Sequence, residues 1–162
     1  MNTPPPTIER TYKATIEELW SLWTTREGFQ SWWGPQGFRA DIHTIEPHPG
    51  GTLHYDMVAD SPEMIAAMQK LGEPASTSCR GSFTEFHPHH RLALTQRIDF
   101  LPGVTPYDSL IEVEFSPQPD NHARMRVTLF PMHDQATTNM QTQGFTSQLS
   151  KLDQRYHHQP PA

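Results

Sequence analysis

The run from Asp134 to Tyr156 is the only one in the chain long enough for a helix of about five or six turns. Its apolar residues, Ala136, Met140, Phe145, Leu149, Leu152 and Tyr156, recur mostly at intervals of three and four and predict a stripe along one side. Asp134 is placed to cap the start. The residues between, among them Thr137, Thr138, Asn139, Thr142, Thr146 and Ser147, are indifferent helix formers, so packing of the stripe must hold this helix. Gly144 costs helix stability relative to alanine but lets another element, or a bound molecule, approach the backbone. A sheet wrapped around the helix is the simplest partner.

Such a sheet is readable upstream. Thr7 to Ala14 alternates weakly and predicts a strand after Pro4-Pro5-Pro6. Thr15 and Glu18 make a capping box before Ile16, Leu19, Trp20, Leu22 and Trp23. Phe29, Trp32 and Trp33 form a second short helical turn, which must stop at Gly34-Pro35 because proline disfavours helical geometry in the residue before it. From Phe38 the period becomes two, giving strands over Phe38 to Ile45 and Thr52 to Val58 around the turn Pro47 to Gly51. Ser61 to Leu71 interrupts the pattern with a capped helix carrying Met64, Ile65, Met68 and Leu71. Strands resume at about Ser78 to Phe86, Arg91 to Phe100, Ser109 to Phe115 and Arg124 to Phe130, with turn residues at Pro88, Pro102-Gly103 and Pro117 to Asn121.

Length and charge bound the function. The 162 residues suit one domain, expected at 7–157 between a flexible arm at 1–6 and a loose tail at 158–162. A net charge of −6 without a basic cluster argues against nucleic acid and anionic membranes as partners. No stretch reaches membrane-spanning length, the start does not read as a signal peptide, and the single Cys79 forms no internal disulfide. A cytoplasmic location is expected.

The element order, with Trp32-Trp33-Gly34-Pro35, the Gly50-Gly51 turn and Gly144-Phe145 followed by Leu149 and Leu152, resembles the SRPBCC (START/Bet v 1-like) superfamily over roughly residues 7–156. Within it the chain is most similar to the branch of the C-terminal domain of the activator of Hsp90 ATPase. The resemblance implies an α+β helix-grip fold, in which a curved antiparallel sheet of about seven strands closes around the long helix and leaves a cavity. It also implies binding of a small apolar or aromatic molecule without a cofactor. The alternative it offers is a cyclase or hydratase working in the same cavity. A chaperone-associated accessory protein is the third reading; the full chaperone activator docks through a separate N-terminal domain that the residues before the first strand do not contain, so a chaperone partner is not expected. A homodimer stays open.

Strand parity identifies the concave face. Ile111, Val113 and Phe115 alternate with Glu112 and Glu114, and Met125, Val127 and Leu129 alternate with Arg124, Arg126 and Thr128. The same parity turns Tyr107, Ser109, Leu92, Leu94, Gln96, Ile98 and Phe100 inward. Gln96, Tyr107 and Ser109 then either satisfy one another or meet a ligand. The expected ligand-binding residues on the sheet and short helices are Trp33, Met57, Phe83, Gln96, Tyr107, Ser109 and Val113. On the long helix they are Met140, Gly144, Phe145 and Gln148. Met64, Ile65 and Met68 are the candidates for a lid, the other reading being a cover for the sheet edge. If there is catalysis, Tyr107 and Glu85 are the first candidates, being titratable and able to face in.

No metal centre is expected. In His87-Pro88-His89-His90 the proline and tight turn make joint ligation awkward, and His43 and His54 read as a cross-strand pair. Cys79 reads as a quiet buried thiol, and the four tryptophans read mainly as core, with Trp33 also placed to form a cavity wall.

Overall fold

The computed structural model describes residues 5–99 and 103–156. The expected inward placement of Phe100, the turn at Pro102, the tail at 158–162 and the first four residues of the arm lie outside them. In chain order the elements are β1 (Thr7–Tyr12), α1 (Ile16–Thr24), α2 (Arg26–Gln30), β2 (Phe38–Ile45), β3 (Thr52–Ala59), α3 (Pro62–Leu71), β4 (Ser76–His87), β5 (Arg91–Ile98), β6 (Tyr107–Gln118), β7 (His122–Leu129) and α4 (Gln135–Arg155). The seven strands form one antiparallel sheet in the order β1-β7-β6-β5-β4-β3-β2. This is the helix-grip architecture, and the described end of the arm is tied to it: Pro6 O accepts from Leu129 N at 2.9 Å.

Turn and cap chemistry set the boundaries. Thr15 and Glu18 complete the capping box of α1, and Asp134 Oδ1 accepts from Thr137 N at 2.7 Å at the start of α4. In the β2–β3 turn Gly50 has a φ of 77°, while Gly51 answers a different need: a Cβ there would lie 1.9 Å from the carbonyl oxygen of Glu46.

The core gathers where the α1–α2 corner meets the second half of α4. Trp23, Trp32 and Trp33 stack edge-on at 5.1 to 5.4 Å, and Phe145 of α4 reaches all three at 6.0 to 6.2 Å. Below it, Leu149 and Leu152 are fully buried. The far end of α4 is fastened to β1, where the hydroxyl of buried Tyr12 donates to Asp153 Oδ1 at 2.6 Å and Arg10 Nε donates to the same oxygen at 3.1 Å.

The first half of α4 departs from the expected stripe. Ala136 is exposed and Met140 is 69% exposed, while the buried face runs through Thr138 to Phe145 and Gln148. Met140 stands five residues before Phe145, about 140° round the axis, and so cannot share its face. Thr138, Thr142 and Thr146 each turn their hydroxyl back to the carbonyl four residues earlier, which satisfies them inside the helix.

Helix α3 lies beside the loop before β2. Met64 packs where a side chain on Gly37 would stand, Asp60 N donates to Gly37 O at 2.8 Å, and no α3 residue is fully buried. Ile65 is 37% exposed and Leu71 73%. Among the described residues no helix is long and apolar enough to cross a membrane.

Candidate functional site

Two adjoining spaces open between the concave sheet and α4. The inner one, about 140 Å³, is walled by Trp33, Tyr55, Met57, Gln96, Ile111, Gln141, Gly144, Phe145 and Gln148. The outer one, about 360 Å³, shares Tyr55, Met57, Gln96 and Gln141 with it and adds Thr77, Cys79, Arg80, Arg97, Ile98, Met132, Thr137 and Met140. A separate groove of about 440 Å³ runs along Pro6, Pro131, Gln135, Thr138, Asn139, Thr142 and Gln143. It has no unpaired buried side-chain polar atom among its lining residues, and we place the candidate site in the two spaces under α4.

Gly144 opens the inner space: a Cβ on it would have no neighbour within 4 Å. Gly34, at the end of the tryptophan corner, takes a φ of 105° and donates its N–H to Gln148 Oε1 at 2.7 Å. That bond fixes the Gln148 amide, since a backbone N–H cannot accept from the side-chain nitrogen. The amide NH₂ is therefore turned away from Gly34, buried and without a partner among the described residues. Gln141 Oε1 and Ser109 Oγ are in the same condition.

Tyr55 ties the sheet side together. Its hydroxyl accepts from Trp33 Nε1 and from Gln96 Nε2, each at 3.0 Å, and interacts with the thiol of Cys79, its cross-strand partner. Burial is the main reason the Tyr55 hydroxyl titrates well above its ordinary range. Burial likewise pushes the Cys79 thiol up, to about 11. Both groups stand neutral at physiological pH.

Cys79 therefore offers a reporter. Its alkylation by iodoacetamide should be slow at neutral pH, should accelerate as pH rises toward about 11, and should be suppressed by a molecule filling the outer space. The folded thiol holds its proton more tightly than an unfolded one, so its contribution to stability is complete below about pH 8.5. It is lost as pH rises through about 11. Rapid labelling at pH 7 would overturn this account of the thiol.

Of the residues expected from sequence, Trp33, Met57, Gln96, Gly144, Phe145 and Gln148 line the inner space, and Met140 lies at the rim of the outer one. Ser109 is buried and paired in register with Gln96 but lines neither space. Phe83 and Val113 are fully buried core residues away from both. Tyr107 keeps its parity opposite Ile98, yet its hydroxyl lies 2.8 Å from His133 Nδ1 and accepts from His133 N, fastening β6 to the segment before α4.

Two expectations are corrected. Glu85 does not face in: a β-bulge between Phe83 and Glu85 adds a residue, so Phe83 and Phe86 keep the core while Glu85 joins Glu112 and Glu114 around Arg91 on the outer face. Met64, Ile65 and Met68 line neither space, because α3 is drawn against Gly37 instead of over the opening. Reasoning from sequence missed Tyr55 and Gln141 as wall residues. Parity in β3 places Tyr55 with Leu53 and Met57, and Gln141, Gly144, Phe145 and Gln148 repeat at three- and four-residue steps along one helix face.

The model of one family, described as "Activator of Hsp90 ATPase homolog 1-like protein", matches residues 13–156. No curated protein matches the chain significantly. Among solved structures, a protein from Chromobacterium violaceum superposes with a TM-score of 0.72 at 16% identity, covering 94% of this chain and 96% of that one. The AHSA1 protein from Silicibacter pomeroyi gives a TM-score of 0.70 at 19% identity, covering 93% and 95%. A protein from Nitrosomonas europaea gives 0.70 at 17% identity, covering 93% and 92%. At these identities the likeness is one of fold, and the fold is known for binding ligands in its cavity. The family match, however, runs from the residue after β1 to the cap of α4, and the chain belongs to the activator of Hsp90 ATPase homolog 1-like family, within the SRPBCC superfamily.

Proposed function

We propose that the chain binds a small, neutral, largely apolar molecule under α4, and that Gln148 and Gln141 hold its polar end. The observation that carries this reading is the pair of buried, unpartnered amide atoms on one wall: a donor, Gln148 Nε2, and an acceptor, Gln141 Oε1. Around them the wall is Trp33, Met57, Ile111, Phe145 and the bare backbone of Gly144. Buried polar groups call for partners, and an apolar wall with a few placed polar groups is the ordinary composition of a small-molecule site. A donor and an acceptor together suit a molecule with a carbonyl and a hydroxyl or N–H. A charged group is disfavoured in the inner space, where the one titratable wall residue, Tyr55, is held neutral and would leave an ion uncompensated, whereas Arg80 and Arg97 line the outer space.

Binding is favoured over cyclase or hydratase chemistry for a related reason. A general acid or base should titrate near the working pH, whereas Tyr55 and Cys79 are both pushed upward. Tyr107 is engaged with His133 and Glu85 with Arg91.

The test is a matched pair of probes, acetylnaphthalene and ethylnaphthalene, which differ in a carbonyl. The native protein should prefer the ketone by about tenfold, which corresponds to about 1.4 kcal/mol. Gln148→Met should erase most of that preference while keeping affinity for the hydrocarbon. Absence of binding by either probe, or a preference untouched by the variant, would count against the assignment. Native mass spectrometry of the purified protein, run in parallel, looks for a co-purified small molecule directly.

A further inference from the structure

The outer face of the sheet holds a cluster with different chemistry. His43 Nε2 lies 2.8 Å from Asp56 Oδ2, and the rings of His43 and His54 are 4.8 Å apart. One ligand atom from each of His43, His54 and Asp56 lies within 4.8 Å of the other two. Tyr55, between the two β3 members, points toward the cavity, so His54 and Asp56 point away from it.

A local irregularity assembles the third member. Ile42 pairs with Tyr55 but Thr44 pairs with His54, leaving His43 as the extra residue of a β-bulge. It is thereby lodged between the positions facing His54 and Asp56, within reach of both. Bulges re-aim side chains in this way and are found beside functional sites more often than chance.

The charges around the cluster are unusual for a strand pair. Asp56 is the direct cross-strand partner of Asp41, and like charges so placed destabilise the pair. Arg39 takes up Asp41 with two hydrogen bonds, at 3.0 and 3.3 Å. Asp56 turns instead to His43, while Ser78 Oγ lies 3.0 Å from His54 Nε2 and steadies that ring. A cation at this spot would relieve the carboxylate pair.

We propose that His43, His54 and Asp56 form a binding site for a divalent transition-metal ion of the zinc class. Two imidazoles and one carboxylate are a donor set for Zn²⁺, and also for Cu²⁺ and Ni²⁺, and three protein ligands leave a further position for water or a bound molecule. Metal–ligand bonds of about 2.0–2.2 Å set tetrahedral donor atoms about 3.4 Å apart. The His43–Asp56 contact must open by about half an ångström and the widest separation must close by about 1.4 Å, starting from 2.8 Å and 4.8 Å. Side-chain torsions can supply both changes, since the His43 and Asp56 side chains are 49% and 32% exposed. The site lies on the face of β3 opposite the cavity, so it is separate from the ligand reading above.

The experiment uses tag-free, EDTA-treated full chain titrated with ZnCl₂ by calorimetry, and with Co²⁺ while its visible bands are followed. One equivalent should bind saturably, and affinity should fall as pH is lowered, because a protonated imidazole cannot ligate. His54→Ala and Asp56→Asn, both on an outward face, should each fold normally by circular dichroism and weaken binding by at least about tenfold. The double variant His87→Gln/His90→Gln, which alters the other histidine-rich turn, should bind as the native protein does. Absence of saturable binding, or binding that survives His54→Ala and is lost in His87→Gln/His90→Gln, would overturn the proposal.

Discussion

Trp32→Ala is expected to remove about 3–5 kcal/mol of stability, the range for emptying a buried tryptophan site. That is a large share of the roughly 5–15 kcal/mol by which a domain of this size is normally folded. Trp32 is fully buried in the corner between α2 and β2. It packs edge-on against Trp23 of α1, Trp33 beside the cavity and Phe145 of α4. Its Nε1 also donates to Leu22 O at 2.8 Å, pinning the corner after α2 to α1. Alanine deletes the ring contacts and that bond together. Urea unfolding should show a much lower midpoint with an unchanged slope. A loss below about 1.5 kcal/mol would mean the corner repacks readily and is not the keystone its contacts imply.

The features legible in the sequence share a property: each is set by neighbours along the chain. The capping box at Thr15 and Glu18, the glycine turn at Gly50-Gly51 and the cap at Asp134 all formed where local chemistry placed them. Alternation in β6 and β7 likewise put Ile111, Val113, Met125 and Val127 in the core. What was hidden depends on a single inserted residue or on what a surface faces. The bulge after Phe83 leaves no mark in composition, yet it moved Glu85 to the outer face, and the bulge at His43 joined Asp56 to a histidine pair that spacing alone left as a pair. The first half of α4 misled for the second reason. Hydrophobic periodicity finds a face packed on a core, but this stretch looks onto the spaces under α4 and carries Thr137, Gln141 and Gly144 there, so the exposed Ala136 and Met140 read as a core stripe that the helix does not have.

Gly144 is where this ambiguity becomes an experiment, because its two substitutions should part company. A Cβ on Gly144 meets open space, and its backbone lies within α4, so Gly144→Ala should raise stability by about 0.5–1 kcal/mol through helix propensity alone. Gly144→Leu gains the same propensity but sends its side chain into the inner space of about 140 Å³, against Trp33, Met57, Ile111 and Phe145. The fold should survive, since the added atoms enter a void and do not displace packed neighbours. Binding should not: acetylnaphthalene is expected to lose at least about tenfold in affinity, or about 1.4 kcal/mol, in the leucine variant and almost nothing in the alanine variant. The alanine variant controls for changes in helix stability, so a loss confined to leucine reports occupied volume. A folded Gly144→Leu protein that binds the probe undiminished would move the site out from under α4. The groove along Pro6, Pro131 and Thr142 would then be the next surface to block.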